Sequence, residues 1–97
     1  MPNYISLARR SEQGLASIKE VPARIESLWT MAEKMGIRIV NIWLTMGPYD
    51  AVLVYEAPDD QTMAAFALSL ASLGNGTTET MRAFGEDEFV QVVSRLP

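Results

Sequence analysis

The chain contains no cysteine and no histidine. The first absence removes disulfides, thiolate nucleophiles and thiolate metal sites. The second removes the usual general base near neutral pH and the commonest metal ligand. Basic residues are also scarce: eight Lys and Arg face twelve Asp and Glu, for a formal charge of −4. With an isoelectric point near 4.6, the surface repels a phosphate backbone, so nucleic acid is not an expected partner. No stretch approaches the ~20 apolar residues of a membrane span. Met1-Pro2-Asn3 does not begin a basic leader region, and a cytoplasmic protein is the expectation.

What is present is ordinary globular material. Ninety-seven residues, 48% hydrophobic and 21% charged, are expected to make one domain spanning 1–97. Tyr4 to Arg9 alternates as a strand does. Ser11 can cap a short helix over 12–20, with Glu12 in its first turn. Pro22 interrupts it, and a kink or break near Val21 follows. Ile25, Leu28, Trp29 and Ala32 then fall on one helical face, and Gly36 supplies a stop.

Ile37–Thr45 and Ala51–Glu56 read as two strands. Met46-Gly47-Pro48-Tyr49-Asp50 between them reads as a hairpin loop. Asp59 can cap a second helix running to Gly74, rich in alanine and so a strong helix former. Thr77–Phe84 reads as a last strand, and Glu86-Asp87-Glu88 opens a C-terminal helix. The order βαββαβα is α+β and ferredoxin-like, with an extra C-terminal helix. Right-handed crossovers place the two main helices on one sheet face and leave the other bare.

The residues that line the bare face depend on strand parity. On the second strand the aliphatic set Val40, Ile42 and Leu44, together with Arg38, is assigned to the helices. On the third strand Val52 and Val54 are assigned there too. Asn41, Trp43, Leu53 and Tyr55 then occupy the outer face. The last strand offers two sets, one with Thr80 and Arg82 and one with Glu79 and Met81, and both assignments stay open. An aromatic outer face needs a cover. It comes from another subunit's sheet or from the C-terminal helix, and the subunit is preferred because closed symmetric dimers are common.

Several blocks together resemble the GYD domain family: Gln13-Gly14-Leu15, Ile18-Lys19-Glu20, Pro22, Ala32-Glu33-Lys34-Met35-Gly36, Gly47-Pro48-Tyr49-Asp50-Ala51-Val52, Glu56-Ala57-Pro58-Asp59-Asp60 and Thr78–Phe84. The family takes its name from the Gly-x-Tyr-Asp hairpin, here Gly47, Tyr49 and Asp50. The resemblance implies a dimeric α/β-barrel type of fold and no established activity. The wider superfamily includes cofactor-independent monooxygenases, haem-handling proteins and plain ligand binders, an analogy at fold level only.

Each candidate site has two readings. Tyr49 and Asp50 either present a phenol and a carboxylate at a pocket mouth or serve as turn residues. Asn41, Trp43 and Tyr55 either orient an aromatic ligand between sheets or form a dimer interface. Arg82 either anchors an anionic ligand or closes a salt bridge with Asp50 or Glu56, while Glu79 points to the opposite face. Asp59-Asp60 and Glu86-Asp87-Glu88 suit helix N-termini better than a metal, and the six methionines are expected to fill core gaps. The composition and these candidates predict an oligomeric domain that binds itself or a small apolar or aromatic ligand, with no cofactor and no metal. The alternative is a cofactor-independent monooxygenase or isomerase acting on an activated aromatic substrate. In that case Asn41, Trp43, Tyr49 and Arg82 bind the substrate and stabilise an enolate.

Overall fold

The computed structural model describes residues 1–97. Strand β1 (Asn3–Arg10) leads to helix α1 (Glu12–Ala16), a 3₁₀ turn (Ile18–Glu20) and helix α2 (Val21–Lys34). Strands β2 (Arg38–Leu44) and β3 (Ala51–Glu56), helix α3 (Asp60–Ala71), strand β4 (Gly76–Ala83) and helix α4 (Glu86–Ser94) follow. The expected break near Val21 is present as the 3₁₀ turn. Its cause is local, because Pro22 has no N–H to close a preceding turn yet is well suited to the first turn of the next helix.

The caps are those expected from the sequence. Ser11 accepts the Gly14 N–H at 3.1 Å, and Asp59 accepts the Thr62 N–H at 2.7 Å. Gly36 stops α2 with φ +70, a conformation that only glycine adopts without penalty. Gly14 is needed for a different reason. A Cβ there would lie 2.0 Å from the Asn75 carbonyl oxygen, so α1 can lie against the α3–β4 turn only without a side chain. Ser11 and Gln13 complete that docking through the Gly74 carbonyl at 2.6 Å and the Leu73 carbonyl at 3.2 Å.

The four strands form one sheet in the order β2-β3-β1-β4, and every neighbouring pair is antiparallel. Tyr4, Leu53, Tyr55 and Ile39 turn toward the helices and pack with Ala32 of α2 and Met63 and Phe66 of α3. Tyr55 and Phe66 meet edge to face with ring centroids 5.4 Å apart, a favoured aromatic geometry.

Two parity assignments are corrected. On β3 the buried pair is Leu53 and Tyr55, while Val52 and Val54 face outward. The segment Ala51–Glu56 is apolar on both sides, so alternation alone could not choose. On β2 the register slips by one between Ile39 and Asn41, a β-bulge in which Val40 is the extra residue. The bulge turns Ile39 inward as well as Ile42 and Leu44, and keeps Asn41 and Trp43 outward.

Two further expectations change. Trp29 is half exposed rather than core, and of the six methionines only Met63 is fully buried, with Met46 97% exposed. α4 does not fold across the outer face. It projects from the end of β4, and Phe89, Val90, Val93 and Leu96 lie open to solvent.

The chain is extended for its length. Its radius of gyration is 14.7 Å, against about 12.5 Å for a compact chain of this size. Only 11 of its 97 residues are buried, so the core that exists is small and each member counts. Phe66→Ala is expected to cost about 3–5 kcal/mol, measured by chemical denaturation. A loss below about 1 kcal/mol would show that the helix layer contributes little.

Candidate functional site

The β2–β3 hairpin crosses one end of the sheet and sends Tyr49 and Asp50 to opposite faces. Gly47 makes the reversal with φ +103. Thr45 closes the loop twice, its N–H donating to the Asp50 carbonyl at 2.9 Å and its hydroxyl to the Tyr49 carbonyl at 2.7 Å. The Asp50 carboxylate accepts the Arg10 backbone N–H at 2.7 Å and faces the Arg10 guanidinium at 3.5 Å. The Asp50 N–H itself donates to the Ala8 carbonyl at 2.8 Å. Asp50 therefore pins the hairpin to the end of β1.

Tyr49 lies on the outer side. Its hydroxyl donates to Glu79 at 3.1 Å, and the Arg9 guanidinium sits 4.4 Å from its ring centroid. Arg9 also donates to the Pro48 carbonyl at 2.9 Å and pairs with Glu79 at 3.6 Å. The phenol is thus held in a cation–π and ion-pair cluster at the rim of the outer face.

The outer face is apolar along its centre. Ile5 lies between Val54 and Met81 in register, and Leu7 lies beside Val52, which in turn pairs with Trp43. Trp43 is 50% exposed and Met81 46%. Arg38 and Glu56, paired at 2.7 Å, and the Arg9–Glu79 pair edge the strip with charge. Asn41 and Trp43 share this face as expected. Tyr55 does not share it. It is buried against Phe66 on the other side, where loss of solvent pushes its phenol well above the ordinary range.

Arg82 is likewise on the helix side, but neither expected carboxylate reaches it. Asp50 is held by Arg10 and Glu56 by Arg38. The partner of Arg82 is Glu88 in the first turn of α4, at 3.0 Å, and that hydrogen bond holds the Glu88 carboxyl below the usual range. The guanidinium also lies 4.5 Å from the Phe84 ring centroid and 5.9 Å from that of Tyr4. Arg82 ties the root of α4 to the sheet. Beside it the Tyr4 hydroxyl donates to Asp60. Burial first, and then that hydrogen bond to a carboxylate, push Tyr4 up to about 12.

A cavity of about 310 Å³ opens on the helix-covered side at the hairpin end. Side-chain size along the inward strand positions explains it. β1 runs Tyr4, Ser6, Ala8, and β3 runs Tyr55, Leu53, Ala51. β4 runs Arg82, Thr80, Thr78. Large residues fill one end and small ones leave the other empty. The first turns of α2 and the end of α3 form the walls, with Ile25, Leu28, Met31 and Leu70, while Arg10, Arg24 and Asp50 stand at the edge. The taper was the available sequence signal, but it could be read only with the correct strand parity.

A model of the GYD domain matches residues 4–93. The chain belongs to the GYD domain family. A Thermus thermophilus relative named glutamine synthetase and cystathionine beta-lyase binding protein is 37% identical over 84 residues, covering 86% of this chain and 88% of the relative. Among solved structures, the crystal structure of FFRP-DM1 superposes with a TM-score of 0.63 at 17% identity, covering 87% of this chain and all of the other. At that identity the likeness is one of fold. It agrees with an α+β arrangement of a four-stranded antiparallel sheet and helices. No helix of the GYD chain is long and apolar enough to cross a membrane.

Tyr4 generates a pH prediction. A phenol whose folded value is raised adds stability that is complete below its ordinary value of about 10 and is lost as pH rises through about 12. Tyr4→Phe is expected to lower stability by roughly 1 kcal/mol at neutral pH and to flatten the alkaline fall, read by denaturant midpoints across that range. An unchanged alkaline profile would show that the Tyr4 phenol is not raised in solution by its burial and its bond to Asp60.

Proposed function

We propose that this GYD-domain protein is a self-associating interaction module that docks on a larger protein. One observation carries the reading: the outer sheet face, with Ile5, Leu7, Trp43, Val52, Val54 and Met81, has no cover within the chain. Burying such a strip is worth roughly 25 cal/mol per Å², and a standard interface removes about 800 Å² per partner. A second copy of the same face satisfies both, by sheet-on-sheet packing of two ferredoxin-like units in the manner of a dimeric α/β barrel. The projecting α4, with its own open apolar side, supports the same reading, because it can extend over a second copy. The name of the Thermus relative supports docking on an enzyme, and glutamine synthetase is the first partner to try.

The other expectations draw less support. A ligand clasped between outer faces by Asn41, Trp43 and Tyr55 loses Tyr55 to the core. An oxygenase or isomerase built on Asn41, Trp43, Tyr49 and Arg82 loses its constellation, since Arg82 sits on the opposite face and is held by Glu88.

Val54→Asp places a charge in the middle of the strip without touching the helix-side core. Native mass spectrometry and sedimentation should give a dimer or larger assembly for the wild type and a monomer for the variant. A monomeric wild type at micromolar concentration would sink the self-association. Surface plasmon resonance against glutamine synthetase from the same source tests docking, and saturable binding is the expected outcome. Absence of binding at micromolar enzyme would remove that partner.

A further inference from the structure

We propose that the cavity between the sheet and the α2–α3 layer binds a small amphipathic monocarboxylate, with its apolar tail inside and its carboxylate on Arg24 and Arg10. The cavity opens to solvent, and about 310 Å³ is room for about ten water-sized groups at roughly 30 Å³ each. That lies at the small end of ligand pockets and matches a ligand of about ten non-hydrogen atoms.

The lining sets the ligand's chemistry. The floor of Ala8 and Ala51 and the walls of Ile25, Leu28 and Leu70 are apolar, and Thr78 beside Ala8 adds one hydroxyl-bearing residue to the floor. The charged residues stand at the edge, and their balance is inverted relative to the whole protein. Two arginines, Arg10 and Arg24, stand there with one acid, Asp50, on a chain whose formal charge is −4, while the Arg9 guanidinium is turned to Tyr49 on the outer face. Asp50 is already taken up by the Arg10 backbone and side chain.

The arginines keep donors in reserve. One terminal nitrogen of Arg24 donates to the Ser17 carbonyl and, at 2.6 Å, to its hydroxyl, which fixes the side chain in place. Glu20 stands 3.9 Å off that same nitrogen and is mostly in solvent. The Nε and the second terminal nitrogen of Arg24 have no protein acceptor. Arg10 has only the long 3.5 Å contact to Asp50. A guanidinium held by one nitrogen with a free edge suits a carboxylate, which it can meet through two parallel bonds.

Octanoate and 3-phenylpropionate are the probes, with octanol as the uncharged control, followed by isothermal titration and by amide chemical shifts. Both acids are expected to bind saturably at millimolar concentration or below, with shifts at Ala8, Ala51, Leu70 and Gly76. Octanol should bind at least about tenfold more weakly, as should the acids to Arg24→Gln, since each change removes a charge-assisted contact. Ala51→Leu fills the floor and should abolish binding of all three. Ala71→Trp does the same from the α3 side if the first variant is misfolded by circular dichroism. No saturable binding to the wild type, equal binding of octanol and octanoate, or shifts confined to Val52 and Val54 on the outer face would each overturn the proposal.

Discussion

Alternation of side chains across the sheet is the constraint on which the rest of this molecule depends. One parity of β1, β3 and β4 carries Tyr4, Tyr55 and Leu53 into the helix layer. The other carries Ile5, Leu7, Val52 and Val54 into solvent. A protein of this size has too little material to cover both faces of a four-stranded sheet. Both main helices go to one side, and the uncovered side keeps an apolar strip edged by ion pairs. The same parity that builds the core therefore builds the surface on which self-association is proposed.

The covered side is uneven for a reason that also lies in alternation. Successive inward positions shrink toward the hairpin end, from tyrosine to alanine on both central strands. Helices packed on large residues at one end cannot descend onto small ones at the other. The core around Phe66 and the cavity beneath Arg24 are two consequences of one taper. The hairpin closes the shallow end, with Asp50 fastened to Arg10 on the cavity side and Tyr49 to Glu79 on the outer side. The residues that name the family thus bridge the two faces, and their hydrogen bonds are those of a structural clasp.

Much of the chain was legible before the structure. Ser11 and Asp59 cap their helices through bonds spanning three residues, so sequence neighbours suffice to identify them. Pro22 breaks the helix for reasons contained in its own ring. The antiparallel sheet followed from the order of elements and the handedness of crossovers. The match of Gln13-Gly14, Gly47-Pro48-Tyr49-Asp50 and Thr78–Phe84 to the GYD family stood on the residues themselves. What failed was the facing of β3 and part of β2. Ala-Val-Leu-Val-Tyr is apolar at every position, so its period carries no sign. The bulge at Val40 breaks a period that was assumed continuous, and no local residue announces it.

The sequence by itself determined the elements, their ends and the family, because those rest on backbone geometry and on groups a few residues apart. The absence of cysteine and histidine likewise limits the chemistry from composition alone. Only the tertiary structure decided that Tyr55 is core, that Arg82 belongs to Glu88, that α4 leaves the sheet uncovered and that the cavity lies under the helices. Each of those depends on which of two nearly equivalent faces turns inward, and that choice is made by packing between segments distant in the chain.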